Sequence, residues 1–225
     1  AVSGLRLVYQ QPMAITPPNY TLSSDEAQNP GFAGLGGWCH GLWWGFALPN
    51  ELVALNIHIT VLELIASIVS ICTFSSEVPA LLEASMCVSL HARSDAAATV
   101  STLAQDGAKS EMMQHVHNLA LSEPAFSMHL PHLLFSHIYG IANELADAAS
   151  RSDRARLIAL ATQLRITPRR VQPAPILQKL LSLVASLYRN KLALAFETSI
   201  VLVVANAPTS ASFVQVIASA DALVA

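Results

Sequence analysis

Four carboxylates stand where the local pattern of this chain changes from strand to turn or helix: Asp25, Glu63, Asp95 and Asp147. Asp25 ends a short run of mixed polar and apolar residues. Glu63 falls in the first turn of a long apolar helix. Asp95 directly follows Leu90-His91-Ala92-Arg93-Ser94, and Asp147 lies on a helix after Gly140. Strand ends and the helix lips above them form the usual crevice of a mixed α/β sheet. Four acids meeting there repel one another unless cations neutralise them. An all-oxygen donor set suits Mg²⁺ or Mn²⁺. Two such ions about 3.5–4 Å apart activate a water and stabilise the leaving oxygen of a phosphodiester. The chemistry to expect is metal-dependent phosphodiester hydrolysis.

The elements that position these acids follow from periodicity and turn residues. Residues 1–19, with Pro12, Pro17 and Pro18 and no period, read as a linker from a preceding domain. Tyr20–Asp25 reads as a strand, followed by turn chemistry at Gln28-Asn29-Pro30-Gly31. Gly34–His40 and Leu42–Ala47 read as paired antiparallel strands around Gly41, with glycines that admit close backbone approach. Val61, Leu64, Ile65, Ile68, Val69 and Cys72 place a helix over Thr60–Phe74, with Glu63 one turn from its start. There the helix N-terminus would favour the charged carboxylate. Met86–Ala92 and Leu133–Ile138 read as further strands. Asp95–Leu103 and Glu111–Leu121 read as helices, and Asn143 is placed to N-cap a helix running to Ser150. The order predicts an α/β fold: a mixed five-stranded sheet over residues 20–151, its first three strands antiparallel, with helices on both faces. Residues 152–225 read as a basic, mainly helical extension: Arg154–Ile166, then a helix opened by Pro173 and Pro175 and running to about Lys191.

Composition narrows the classes. Of 225 residues, 53% are hydrophobic and 12% charged, the reverse of what disorder requires. Cys39, Cys72 and Cys87 are far apart and form no CxxC pair. This argues against structural zinc and for a reduced, intracellular protein of cytoplasm or nucleus. Leu52–Phe74 has spanning length, but Asn56, His58 and Glu63 lie within it. A carboxylate at bilayer depth costs about 2.5–3.5 kcal/mol, so a buried globular element is expected, with no membrane partner. Charge is uneven: residues 20–150 carry twelve acids against Arg93 and Lys109, whereas residues 151–225 carry nine bases and three acids. The basic segment is a candidate surface for phosphates.

Four blocks of this sequence resemble, in the right order, the ribonuclease H domains of retroelement reverse transcriptases. The most specific is Ser136-His137-Ile138-Tyr139-Gly140-Ile141-Ala142-Asn143-Glu144-Leu145-Ala146-Asp147-Ala148-Ala149-Ser150-Arg151. Leu55-Asn56-Ile57-His58-Ile59-Thr60-Val61-Leu62-Glu63-Leu64, Arg93-Ser94-Asp95-Ala96-Ala97-Ala98-Thr99-Val100, and Gly36-Gly37-Trp38 with Trp43-Trp44 supply the others. The subgroup most resembled is that of tyrosine-recombinase retrotransposons, in which the domain follows a reverse transcriptase. The resemblance implies a ribonuclease H-like fold over residues 20–151. It further implies endonucleolytic hydrolysis of the RNA strand of RNA–DNA hybrids, and Asp25, Glu63, Asp95 and Asp147 as ligands of two Mg²⁺ or Mn²⁺ ions. His137, ten residues before Asp147, would be the mobile histidine that helps protons or product leave, a role suited to a near-neutral pKa. Arg93, Arg151, Arg154 and Arg156 are the candidate contacts to nucleic acid. The sequence departs from the family pattern at Glu26, where a small residue usually follows the first aspartate, at Ala96 for Asn and at Tyr139 for Pro. The alternative is a ribonuclease H-like scaffold or nucleic-acid-binding module without catalysis.

Other motifs carry less. His115, His117, His129, His132 and His137 cluster in sequence without the acidic or cysteine partners of a zinc site. Trp38, Trp43 and Trp44 could stack on bases, but at strand spacing they are expected in the core.

Overall fold

A computed structural model describes residues 21–85, 89–105, 107–108 and 110–206 of this chain. The strands are β1 (Thr21–Asn29), β2 (Phe32–Cys39), β3 (Leu42–Ala47), β4 (Leu90–Ser94), β5 (Leu133–His137) and β6 (Arg169–Arg170). The helices are α1 (Asn50–Val53), α2 (Ile59–Thr73), α3 (Val78–Ser85), α4 (Ala97–Gln105), α5 (Glu111–Leu121), α6 (Pro124–Ser127), α7 (Glu144–Ser150), α8 (Arg154–Gln163) and α9 (Ile176–Asn206). Among the described residues the strands form one mixed α/β sheet in the order β5-β4-β1-β2-β3-β6. β1, β2 and β3 are antiparallel, while β4 runs parallel to β1 and β5 parallel to β4.

Both hairpins are made by their turn residues. Asn29 pairs with Phe32 across Pro30-Gly31, and Gly31 has φ 79°. Proline followed by a positive-φ glycine is what a type II turn demands. Cys39 pairs with Leu42 across His40-Gly41, both at positive φ (47° and 83°), as a type I′ turn requires. β1 continues four residues past the expected end at Asp25, because Glu26, Ala27, Gln28 and Asn29 each pair with β2. Ladder bonding there overrides the poor strand propensity of polar residues.

The sheet is also wider than the five strands expected. Arg169 and Arg170 add a sixth, pairing in parallel with Leu42 and Trp43. Two residues flanked by prolines carry no period, so only tertiary pairing creates this strand. The first compact unit runs to Ala185. The second unit begins at Ser186 and, among the described residues, is helical through 206. The last helix thus extends well past Lys191. The expected linker (1–19), Cys87, the beginning of the strand expected at Met86–Ala92, and residues 207–225 lie outside the described residues; that strand is found as Leu90–Ser94.

Helices cover both faces of the sheet. Ser24 bonds Ser67 of α2, while its neighbour Asp25 bonds Ser150 of α7. Consecutive strand residues point to opposite faces, so α2 and α7 lie on opposite sides. α2 is buried from Val61 to Cys72, as expected for a central core helix. On the α7 face, glycines take the place of side chains. A Cβ on Gly34, Gly36 or Gly45 would stand 2.1–2.4 Å from backbone atoms of Ala149 or Ser150. α7 therefore rests directly on the strand backbones. Beside it, Trp38 and Trp43 pack with Ala148, Ala149, Leu157 and Ala161. Trp44, on the other face, is fully buried and donates to Ser70 Oγ. All three tryptophans belong to the core. Cys39 and Cys72 are buried free thiols, pushed up to about 12 by burial. No helix among the described residues is long and apolar enough to cross a membrane.

Candidate metal centre

Parallel pairing of β1 with β4 matches Ser23 with Arg93. Two residues further along the chain in each case stand Asp25, still on β1, and Asp95, directly past the end of β4. α2 delivers Glu63 to them. Ligand oxygens of Asp25, Glu63 and Asp95 all lie within 4.8 Å of one another. The three border a cavity of about 640 Å³ together with Glu26, Asp147, Arg151 and Arg156.

Each acid is held by residues from a different sequence block. Ser150 Oγ donates to Asp25 Oδ2 at 2.8 Å. Asn143 Nδ2 donates to the Ser24 carbonyl at 2.9 Å and reaches Asp25 Oδ1 at 3.5 Å. Asn143 thus occupies the N-cap position of α7 without capping it; its amide fastens α7 to β1 instead. Ser94 Oγ donates to Glu63 Oε2 at 3.2 Å. His137 Nε2 donates to the Asp95 carbonyl at 2.9 Å, and its ring meets Tyr139 edge-on at 5.6 Å. His137 therefore supports the backbone of an acid and does not line the cavity.

The acids strain one another electrostatically. Burial, with the Asp95, Asp25 and Glu26 charges, pushes Glu63 up to about 10. Burial pushes Asp25 up to about 8, against the Ser150 hydrogen bond, and Asp95, Asp147 and Glu26 add to the rise. Glu26 is pushed up to about 7 by burial and Asp95, which Arg151 partly offsets. Glu63 lies in the second turn of α2, not the first: the helix is N-capped by His58 and has no acid in its first turn. Any help from the helix N-terminus is outweighed by burial. Burying like charges without a compensating cation is costly. Asp95 Oδ1 and Glu26 Oε2 are moreover buried without a hydrogen-bond partner. Orphaned anionic oxygens in an all-oxygen donor set fit a hard divalent cation.

Asp147 is drawn aside from the other three. It lines the same cavity but lies outside the 4.8 Å set. Its Oδ1 accepts from Arg151 Nε and its Oδ2 from Arg156 Nη1. Arg156 Nη2 also stands 3.6 Å from Glu144. The pairing with Arg151 was accessible from i,i+4 spacing. The pairing with Arg156 was not, because it needs the break between α7 and α8, where Ser152 takes φ 57° and Asp153 caps α8.

The candidate arginines divide. Arg151 and Arg156 border the cavity, while Arg93 lines a separate one with Ser23, Trp38 and Leu160. Arg154 lines a third with Trp43, Ile158 and Arg170, and Arg170 lies over the Trp43 ring at 5.2 Å. Sequence reasoning noted Ser94 only inside a larger block, Asn143 only as an N-cap, Ser150 only as a helix end, and Glu26 only as a departure. Among the described residues, the histidines join no candidate metal group.

Compared with family models, curated proteins and solved structures, the chain matches none.

Proposed function

We propose that this chain is a metal-dependent endonuclease of ribonuclease H type, hydrolysing the RNA strand of RNA–DNA hybrids as part of a retroelement reverse transcriptase. The observation that carries the reading is the meeting of Asp25 on β1, Glu63 on α2 and Asp95 directly after β4. The resemblance of four blocks supports it, as do the antiparallel β1–β3 sheet extended in parallel by β4 and β5 and the helices on both faces. Asp25, Glu63 and Asp95 would hold the first cation. Mg²⁺ or Mn²⁺ supplies a water activated near neutral pH and charge stabilisation for the leaving oxygen. Ser150 and Asn143 fix the Asp25 carboxylate, and Ser94 fixes Glu63. Arg151 and Arg156 on the cavity wall would offset the repulsion between a backbone phosphate and the acids.

The test is cleavage of a labelled RNA–DNA hybrid with Mg²⁺ or Mn²⁺. Wild type is expected to cut the RNA strand, and Asp95→Asn to lose at least about a hundredfold in rate. A wild type as inert as Asp95→Asn removes the enzyme reading. A second reading, a ribonuclease H-like scaffold without catalysis, is favoured by the engagement of both Asp147 oxygens with arginines. It predicts hybrid binding without cleavage.

We further propose that the basic segment meets the phosphates of the hybrid. Leu157 and Ala161 are part of the Trp38–Trp43 cluster, so removing residues 152–225 would open the core. Single substitutions are the informative change. Arg154→Gln is expected to weaken hybrid binding and to lower the slope of log affinity against log salt by about one for each phosphate that Arg154 neutralises. An unchanged slope would show that Arg154 stays off the substrate.

A further inference from the structure

We propose that the fourth carboxylate of the cation centre is Glu26 rather than Asp147. The proposal rests on the cation-dependent reading above and specifies its ligand set. Asp25, Glu63 and Asp95 form the tight group. Neither Glu26 nor Asp147 lies within its 4.8 Å, so the two compete for the remaining place.

Their circumstances differ. Glu26 follows Asp25 on β1 and therefore points to the face covered by α2, the helix that carries Glu63. It is 6% exposed, lines the cavity of the three acids, and has a buried Oε2 with no hydrogen-bond partner. A buried anionic oxygen without a donor is costly unless a positive group completes it. Arg151, whose charge Glu26 feels, gives its Nε hydrogen bond to Asp147. Asp147 has the opposite environment. Each of its oxygens already accepts a charge-assisted hydrogen bond, from Arg151 and from Arg156. Before ligating a cation Asp147 must surrender such a bond, whereas Glu26 Oε2 surrenders nothing. On these grounds Asp147 orders the arginine pair on the cavity wall, and Glu26 faces the ion.

The experiment is Mn²⁺ titration by calorimetry on the full chain, without nucleic acid, for wild type, Glu26→Gln, Glu26→Asp, Asp147→Asn and Asp95→Asn. Glu26→Gln is expected to weaken Mn²⁺ binding about tenfold or more, and Glu26→Asp by less, whereas Asp147→Asn changes it by less than about threefold. Thermal melting separates ligand loss from misfolding. Cation-free Glu26→Gln should melt no lower than wild type, and its Mn²⁺-induced rise in Tm should shrink. The proposal is overturned if Asp147→Asn weakens Mn²⁺ as much as Glu26→Gln does, or if Glu26→Gln binds like wild type. Mn²⁺ binding that depends on Glu26 in a chain that leaves hybrids intact removes the nuclease reading and keeps this one. Cleavage by a chain whose Mn²⁺ affinity ignores Glu26 does the reverse. Asp95→Asn should lose binding in either case, and a wild type that binds no Mn²⁺ overturns both.

Discussion

Without divalent cations, this protein should lose thermal stability as the pH rises from about 5 to about 9, and Mg²⁺ should restore most of the loss. Three buried carboxyls drive the effect. Asp25 moves from 3.8 to about 8, Glu63 from 4.5 to about 10, and Glu26 from 4.5 to about 7. In the interval between the two values of each group, the folded chain binds more protons than the unfolded one. Stability therefore falls with rising pH across that interval. The contribution is fully present below the unfolded values, is gone for Glu26 near pH 7, and continues to erode for Asp25 to about 8 and for Glu63 to about 10. The expected loss is on the order of 10 °C in Tm for a chain of this size. Mg²⁺ binds the ionised carboxylates and so offsets most of the slope. Melting curves at fixed ionic strength, with EDTA or with Mg²⁺, provide the check. A cation-free Tm that stays flat over this pH range would mean that the three acids are not buried together.

Gly36→Ala should be as damaging as a direct change to the acids. Gly36 pairs with Asp25 across the β1–β2 ladder. A Cβ there would lie 2.3 Å from the Ser150 nitrogen and 2.6 Å from the Ala149 carbonyl carbon. Both are backbone atoms, so no rotamer relieves the overlap and α7 must shift. Overpacking of this kind costs about 1–3 kcal/mol, a fall of roughly 3–10 °C in Tm. The displacement also carries Ser150 away from Asp25. A misplacement of about 1 Å at a reacting centre costs about a hundredfold in rate, so hybrid cleavage should drop by that factor even where the variant stays folded. Gly107→Ala is the control: its nearest neighbour is Gln114 Oε1 at 3.7 Å. Equal melting temperatures for the two variants would show that α7 does not rest on the glycine backbone.

What the sequence disclosed depended on how local each feature was. Turn residues such as Pro30-Gly31 and Gly41 act on their own backbone, so the hairpins were legible, although His40 was read as strand and belongs to the turn. The apolar stripe of α2 was legible for the same reason, although its start differed by one residue from the expected Thr60, which left Glu63 in the second turn. The polar end of β1 and the two-residue β6 exist only because neighbouring strands accept their hydrogen bonds. Neither has a period that periodicity could detect. Asp25 and Asp95 were named from their places at strand ends, Glu63 from its place near a helix start, and all three from resemblance. What single residues could not show was which acid each arginine would take. That choice depends on the kink at Ser152, which turns α8 so that Arg156 reaches back nine residues to Asp147.

The strand β6 has a further consequence, for strand addition at the margins of the sheet. An unpaired strand at a sheet margin is a template for foreign chains, and charged side chains there discourage such pairing. On one margin, both residues of β6 are arginines, and the second lies across the Trp43 ring. On the other, β5 carries no lysine or arginine, and its Leu134 is 52% exposed. Among the described residues the sheet thus carries charges that discourage strand addition on its β6 margin and lacks lysine and arginine on its β5 margin, so any self-association by strand pairing would be favoured at β5.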